Sequence, residues 1–501
     1  MTARGDERIV SRGAVVGLLL SGAGGVALSA AIASGGPILA ARWTILARLA
    51  AWAGLWAVAV ACALRLPRRL ALGLVLGLAV ALRLAALAGP PTLSDDLYRY
   101  AWDGRAQAAG VDPYQRTAAS RQLTELREPW LWPDDQGCAD LGRPPRCTRI
   151  NRPTERTIYP PLAQAWFAAV YRVTGIEAQH KAWQVAGLAT DLALVGMLPF
   201  VLRAWRRDVR WTALYALSPV PVIEVVNNAH VDGLAAALAV AALWAAARRR
   251  PGWAGALVGA AALVKLYPAV LLAGLAGAGS VAAARRLAPL LRATAAAAAV
   301  VVAGYLPHVL AVGVKVLGYL PGYLREEKYG EGGRFLLAGL LPGPPALAAA
   351  AAAAIVVAAT VWAVRRHPPA PKAFAVLLGA LLLATTPVQP WYAVTLVAAA
   401  TVAARPSWSV VAVAGYPYFF AVILDAAAPS LAGRLSYGAA ALTVAATSVR
   451  RRRGVFAVSL DRLPSRRGGG GDAGSPGRGA PPAPTARRRP TTHSPRQAGR
   501  M

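Results

Sequence analysis

Apolar residues recur in long runs from Ala14 to Ser448, many of them long enough for an α-helix to cross roughly 30 Å of hydrocarbon. The runs predict fourteen spans, at about 13–34, 43–64, 70–89, 182–204, 211–226, 232–247, 251–264, 267–284, 287–313, 346–364, 373–386, 391–404, 408–424 and 433–449. Several hold only about 14 to 16 residues, below the roughly 17 to 25 a lone crossing helix needs, so neighbouring helices must shield them. Short helices are tolerated where they border an enclosed cavity. The segment PLAQAWFAAVYRVTG, Pro161 to Gly175, is apolar but short, and a crossing there would break the pairing of the others; it fits an interfacial helix.

Charge assigns sides to these spans. Hydrophobic residues make up 56% of 501 and charged residues 15%, which predicts an all-α polytopic membrane protein. The formal charge of +31 invites a nucleic-acid partner, but the basic residues form short clusters between apolar runs and no soluble domain carries a groove, so no nucleic acid is expected. The clusters Arg65–Arg69, Arg203–Arg210, Arg248–Arg250, Arg285–Arg292, Arg365–Lys372 and Arg450–Arg453 fall in the cytoplasm by the positive-inside rule. An even number of spans then places both termini in the cytoplasm of a multi-pass plasma-membrane protein. The opening MTARGDERIVSRG ends in no small-residue cleavage site, so the first run reads as a retained helix. From Pro464 the chain has too little apolar surface to fold and suits a tail drawn to anionic membrane lipids. The expected divisions are N-terminal transmembrane helices at 1–90, an extracytoplasmic loop with interfacial helices at 91–181, a transmembrane core at 182–449 and a disordered basic cytoplasmic tail at 450–501.

The first large loop breaks this pattern. Ten of the 23 acidic residues lie between Asp95 and Glu155, balanced by ten basic ones between Pro91 and Pro160, so the loop lacks the cytoplasmic signature and should face outward. In SDDLYRYAWDGRAQAAGVDPY, Asp95 and Asp96 precede an amphipathic stretch in which Arg99 and Asp103 are four apart. A carboxylate held at the membrane surface suits a general base; the alternative is that Ser94 or Asp95 caps a helix and Arg99–Asp103 is a solvated ion pair. Other polar motifs fall on the same side: Glu224, Asn228, His230 and Asp232 in EVVNNAHVD; Lys265 and Tyr267 in VKLYP; Arg325, Lys328 and Arg334 in PGYLREEKYGEGGRF; and Gln389, Trp391 and Tyr392 in TTPVQPWY. Ionisable groups near membrane depth usually mark a site. Glu224, His230 and Asp232 are read either as ligands to a divalent ion or as a polar network serving backbone freed by a helix break; no cofactor is required. The cations suit a phosphate or pyrophosphate headgroup, with snorkelling as the bland alternative. Cys138 and Cys147 suit a disulfide on an oxidising exterior, free thiols being the other reading.

The loop sequence, with TIYPPLAQA at 157–165, which carries Tyr159, the NAHVD break and QPWY at 389–392, resembles the GT-C superfamily of membrane glycosyltransferases. The likeness is greatest to the actinobacterial polyprenol-phosphate-mannose-dependent mannosyltransferases, and more distant to the mannosyltransferase subunit of glycolipid-anchor synthesis. It implies a GT-C-like fold of about 12 to 14 helices, a polyprenyl-phosphate-linked hexose donor, direct displacement with inversion at the anomeric carbon by an Asp general base, and a glycan or glycolipid acceptor entering from outside. By the resemblance the base is Asp95 or Asp96, with Asp103 matching a second acid; the cations Arg99, Lys265, Arg325, Lys328 and Arg334 are then expected to hold the donor phosphate. Tyr98, Tyr159, Glu224, Asn228, His230, Asp232, Tyr267, Gln389, Trp391 and Tyr392 form the substrate pocket. A transporter or lipid flippase is the alternative from another class, since broken helices and buried ions also suit alternating access.

Overall fold

The computed structural model describes residues 11–36, 38–175, 177–278 and 287–460. The first ten residues, the predicted span 267–284 beyond Ala278, Arg285 of the third-from-last basic cluster and the tail beyond Leu460 lie outside the described residues. Every regular element described is helical, and no strand occurs among the described residues.

The chain opens with three apolar helices, α1 (Arg12–Ala33), α2 (Ile38–Ala63) and α3 (Arg68–Ala86), packed on one another. The large loop at 91–181 follows, with α4 (Asp96–Ala108), α5 (Asp135–Asp140) and α6 (Pro161–Thr174). It has its own core, in which Tyr100 stacks on Phe167 at 4.3 Å and Leu97, Trp102, Leu131 and Trp183 are buried. A Cys138–Cys147 disulfide closes its short inner loop.

After α7 (Gln179–Ala204) the backbone breaks repeatedly through α8 (Thr212–Ala216), α9 (Pro219–Pro221) and a π-helical turn, Val222–Asn227. Pro219 opens α9 and Pro221 closes it, and the path bends here by 49°. Helices α10 (Asp232–Ala247) and α11 (Pro251–Ala262), the 3₁₀ run Tyr267–Ala278, α12 (Leu287–Val312), α13 (Leu320–Glu326), α14 (Pro345–Arg366), α15 (Ala370–Thr385), α16 (Val394–Ala403), α17 (Ser409–Ile423) and α18 (Pro429–Leu460) complete the order. The compact unit ends at Val449.

Seven described helices are long and apolar enough to cross a membrane, eight if the bent pair Val209–Ala216 and Pro219–Asn227 counts as one. The protein is therefore an all-α polytopic membrane protein. Among the described residues the fourteen predicted spans fall largely on helical backbone, that at 267–284 as far as Ala278, but the predicted span 211–226 is broken at Leu217–Ser218 and α11, with 12 residues, reaches only about 18 Å. Such pieces persist because they are enclosed: every residue of α16 is buried, so its backbone and side chains meet protein on all sides.

Candidate active site

The break after α9 positions the large loop. A helix break frees backbone groups that need partners, and here side chains supply them. Asn228 Oδ1 accepts from the amides of Thr92 and Leu93 at 3.0 and 2.9 Å, while Asn227 donates to the carbonyls of Ala86 and Pro90. Gln184 and Lys181 of α7 donate to Gly89 O from the other side. The chain leaving α3 is thus clamped just before Asp95. Asn228 thus serves the backbone leaving α3, while at the break itself Gln184 donates to the Asn227 carbonyl at 2.7 Å.

Helix α4 begins immediately after the clamp. Ser94 Oγ accepts from the Asp96 amide at 3.2 Å, whereas Asp95, at the N-cap, makes no side-chain cap bond. Asp95 instead faces outward to Arg143 at 2.8 Å. Asp96 turns inward: its Oδ1 accepts from Asn151 Nδ2 at 2.7 Å, its Oδ2 from the Tyr159 hydroxyl at 3.1 Å, and His230 Nε2 lies 3.7 Å from Oδ2. Burial, then the charge of Asp96, pushes the Tyr159 hydroxyl far above the usual phenol range, so it stays a donor at neutral pH.

Asp96 lines a polar cavity of about 90 Å³ together with Arg99, Tyr159, Lys265, Gln389, Trp391 and Tyr392, all singled out in the sequence. Sequence reasoning missed Asn151, Arg152, Glu155 and Arg156 on the same wall. Their only signal was a polar, proline-containing stretch just before TIYPP, and nothing in its spacing points to Asp96. Arg156 Nε is buried without a hydrogen-bond partner among the described residues. Arg152 pairs with Glu326 and so ties the large loop to α13.

Lys265 stands where the polar cavity meets an apolar groove of about 430 Å³. Its Nζ lies 4.9 Å from the Tyr159 ring centroid, 5.2 Å from that of Tyr392 and 3.4 Å from Asp232 Oδ2. The groove carries Leu266, Val270, Leu320, Leu324 and Leu381, with Tyr267 among its lining residues. Behind the cavity, His230 stacks on Trp391 at 4.0 Å and its Nδ1 lies 3.2 Å from Glu224, whose other oxygen accepts from Tyr416. Asp232 is fully buried, and neither carboxylate oxygen has a hydrogen-bond partner among the described residues. No group of three or more His, Cys, Asp and Glu side chains among the described residues is arranged to hold a metal ion.

Other expected site residues lie elsewhere. Asp103 is buried with Arg99 on one oxygen, at 2.9 Å, and Gln164 on the other, so this pair is internal rather than solvated and joins α4 to α6. Tyr98 packs near Trp130 and takes a bond from Arg149, away from the cavity. Arg325 and Lys328 are exposed and outside its lining. Arg334 is held by Glu327 and Tyr418, because the loop after α13 folds it back into its own support.

No curated protein matches the chain. The stretch that matches a known family includes Tyr159, Glu224, His230, Asp232, Lys265 and Tyr267 but neither Asp96 nor Gln389–Tyr392. Residues 157–387 match the model of glycosyltransferase family 87, a GT-C-type family, and this similarity indicates a membrane glycosyltransferase with a sugar donor and acceptor.

Proposed function

We propose that the protein transfers a hexose, with mannose as the expected sugar, from a polyprenyl-phosphate donor to a hydroxyl of an extracytoplasmic glycan or glycolipid. The observation that carries this reading is the junction at Lys265, where a polar cavity holding a carboxylate opens into an apolar groove. A lipid-linked sugar has this same division, an apolar chain and a charged phosphate bearing a polar ring. The isoprenoid lies in the groove, Lys265 and Arg156 take the phosphate, and the sugar lies against Trp391 and Tyr392 near Asp96.

Asp96 is the base. It takes the proton of the acceptor hydroxyl as that oxygen bonds to the anomeric carbon, and the polyprenyl phosphate departs with the bonding pair, needing no proton. With no covalent intermediate the anomeric centre inverts, so a β-linked donor yields an α-linked product. Asp95 has no part in this step, since it faces Arg143. Membranes containing Asp96→Asn, supplied with labelled polyprenyl-phosphate mannose, should lose at least about 100-fold in transfer, while Asp95→Asn stays within about threefold of the parent. An inactive Asp95→Asn beside an active Asp96→Asn would reverse the assignment. Redistribution of unchanged labelled lipid without a glycan product would instead support a flippase.

A further inference from the structure

A second cavity, of about 450 Å³, lies at the opposite end of α3 and α7 from Asp96. Arg68 and Arg69 reach it from the first turn of α3, and Arg203, Arg206 and Arg207 from the end of α7 and the turn beyond. That turn wraps back on its helix, with the amides of Arg206 and Arg207 bonded to the carbonyls of Arg203 and Leu202 at 2.9 and 2.7 Å. Leu72, Val209 and Asp208 complete the lining.

Five guanidinium groups therefore share one cavity with one carboxylate, and that carboxylate is already engaged. Asp208 is held by Arg210 Nη2 at 2.7 Å and lies 3.5 Å from Arg68. Arg69, Arg203, Arg206 and Arg207 have no carboxylate partner among the described residues. The start of α3 adds to the positive field: its first turn holds no acid, and Pro67 supplies no side-chain cap. Positive-inside bias puts arginines at helix ends without requiring that they share a cavity. Convergence on one cavity is a different arrangement, and the guanidinium fork matches phosphate oxygens.

We propose that this cavity binds a phosphate ester or diester, the chemistry shared by an anionic lipid headgroup and a soluble phosphate. The full-length protein in neutral detergent is offered phosphatidylglycerol and phosphatidylcholine, and retained lipid is measured by native mass spectrometry. The variants are R206Q/R207Q, R69Q/R203Q and R365Q/R366Q, the last removing equal charge from the end of α14, outside the cavity lining. The parent and R365Q/R366Q should retain phosphatidylglycerol selectively, and either cavity variant about tenfold less. Added inorganic phosphate separates the sources: lipid that resists it supports a headgroup, and lipid displaced by it supports a soluble phosphate. Equal losses in all three variants, or a parent that prefers neither phosphatidylglycerol nor phosphate, overturn the proposal. Unchanged thermal melting of the cavity variants excludes unfolding as the cause of a loss.

Discussion

Asp95 and Asp96 are neighbours whose side chains serve different partners, because successive residues at a helix start point about 100° apart. One reaches Arg143 at the surface, the other Asn151, Tyr159 and the cavity. Tyr159 has two separable functions at this scale: its hydroxyl bonds Asp96 at 3.1 Å and its ring faces Lys265 Nζ at 4.9 Å. Tyr159→Phe removes the first and keeps the second. Loss of a hydrogen bond to a charged group costs about 1.5–3 kcal/mol of stability, so the melting temperature should fall, and transfer should fall about tenfold because the base loses a group that orients it. Tyr159→Leu removes both and should fall further. Equal rates for the parent and Tyr159→Phe would show that this bond does not orient the base.

The contact between α4 and α6 holds the cavity wall at the level of the element. A Cβ added at Gly104 would lie 2.6 Å from the Phe167 carbonyl oxygen, so the helices approach as closely as glycine allows. Their polar seam depends on that approach, since Gln164 of α6 bonds Asp103 and Gln107 of α4. Gly104→Ala should therefore lower stability by about 1–3 kcal/mol through overpacking, read as a lower melting temperature in detergent. It should also reduce transfer, because Arg99, partnered by Asp103, is part of the cavity wall. An unchanged melting temperature would mean that α6 shifts freely.

Across the whole molecule, α3 and α7 run from the arginine-lined cavity toward the segment clamped before Asp95, and a buried ion pair joins the last turn of α3 to the middle of α7. Arg83 Nε bonds Asp191, which also accepts from Tyr215 at 2.6 Å, and both charged side chains are fully buried. Removing one partner leaves the other charge without compensation. Asp191→Ala should cost about 3–5 kcal/mol, whereas Arg83→Leu with Asp191→Leu should cost less than the single change. Denaturation of the three proteins in the same detergent checks the order. A double variant less stable than Asp191→Ala would show that the pair contributes more than mutual neutralisation.

The apolar runs determined the helical architecture, because a chain in hydrocarbon must satisfy its own backbone and helices do so locally. They also located the break at 227–231 and the polar loop after the third span, where the cavity lies, but not the bend at Leu217–Ser218 inside the predicted span 211–226. Tertiary structure alone decided which polar residues share that cavity. Asp96 meets Asn151, Tyr159 and Lys265 from segments 55 or more positions away, and Asp103 is withdrawn by Gln164. Hydropathy reports how a segment partitions between water and lipid, which is a local property. The direction of a side chain depends on helix packing and on distant partners, so only the folded chain separates Asp96 from Asp95.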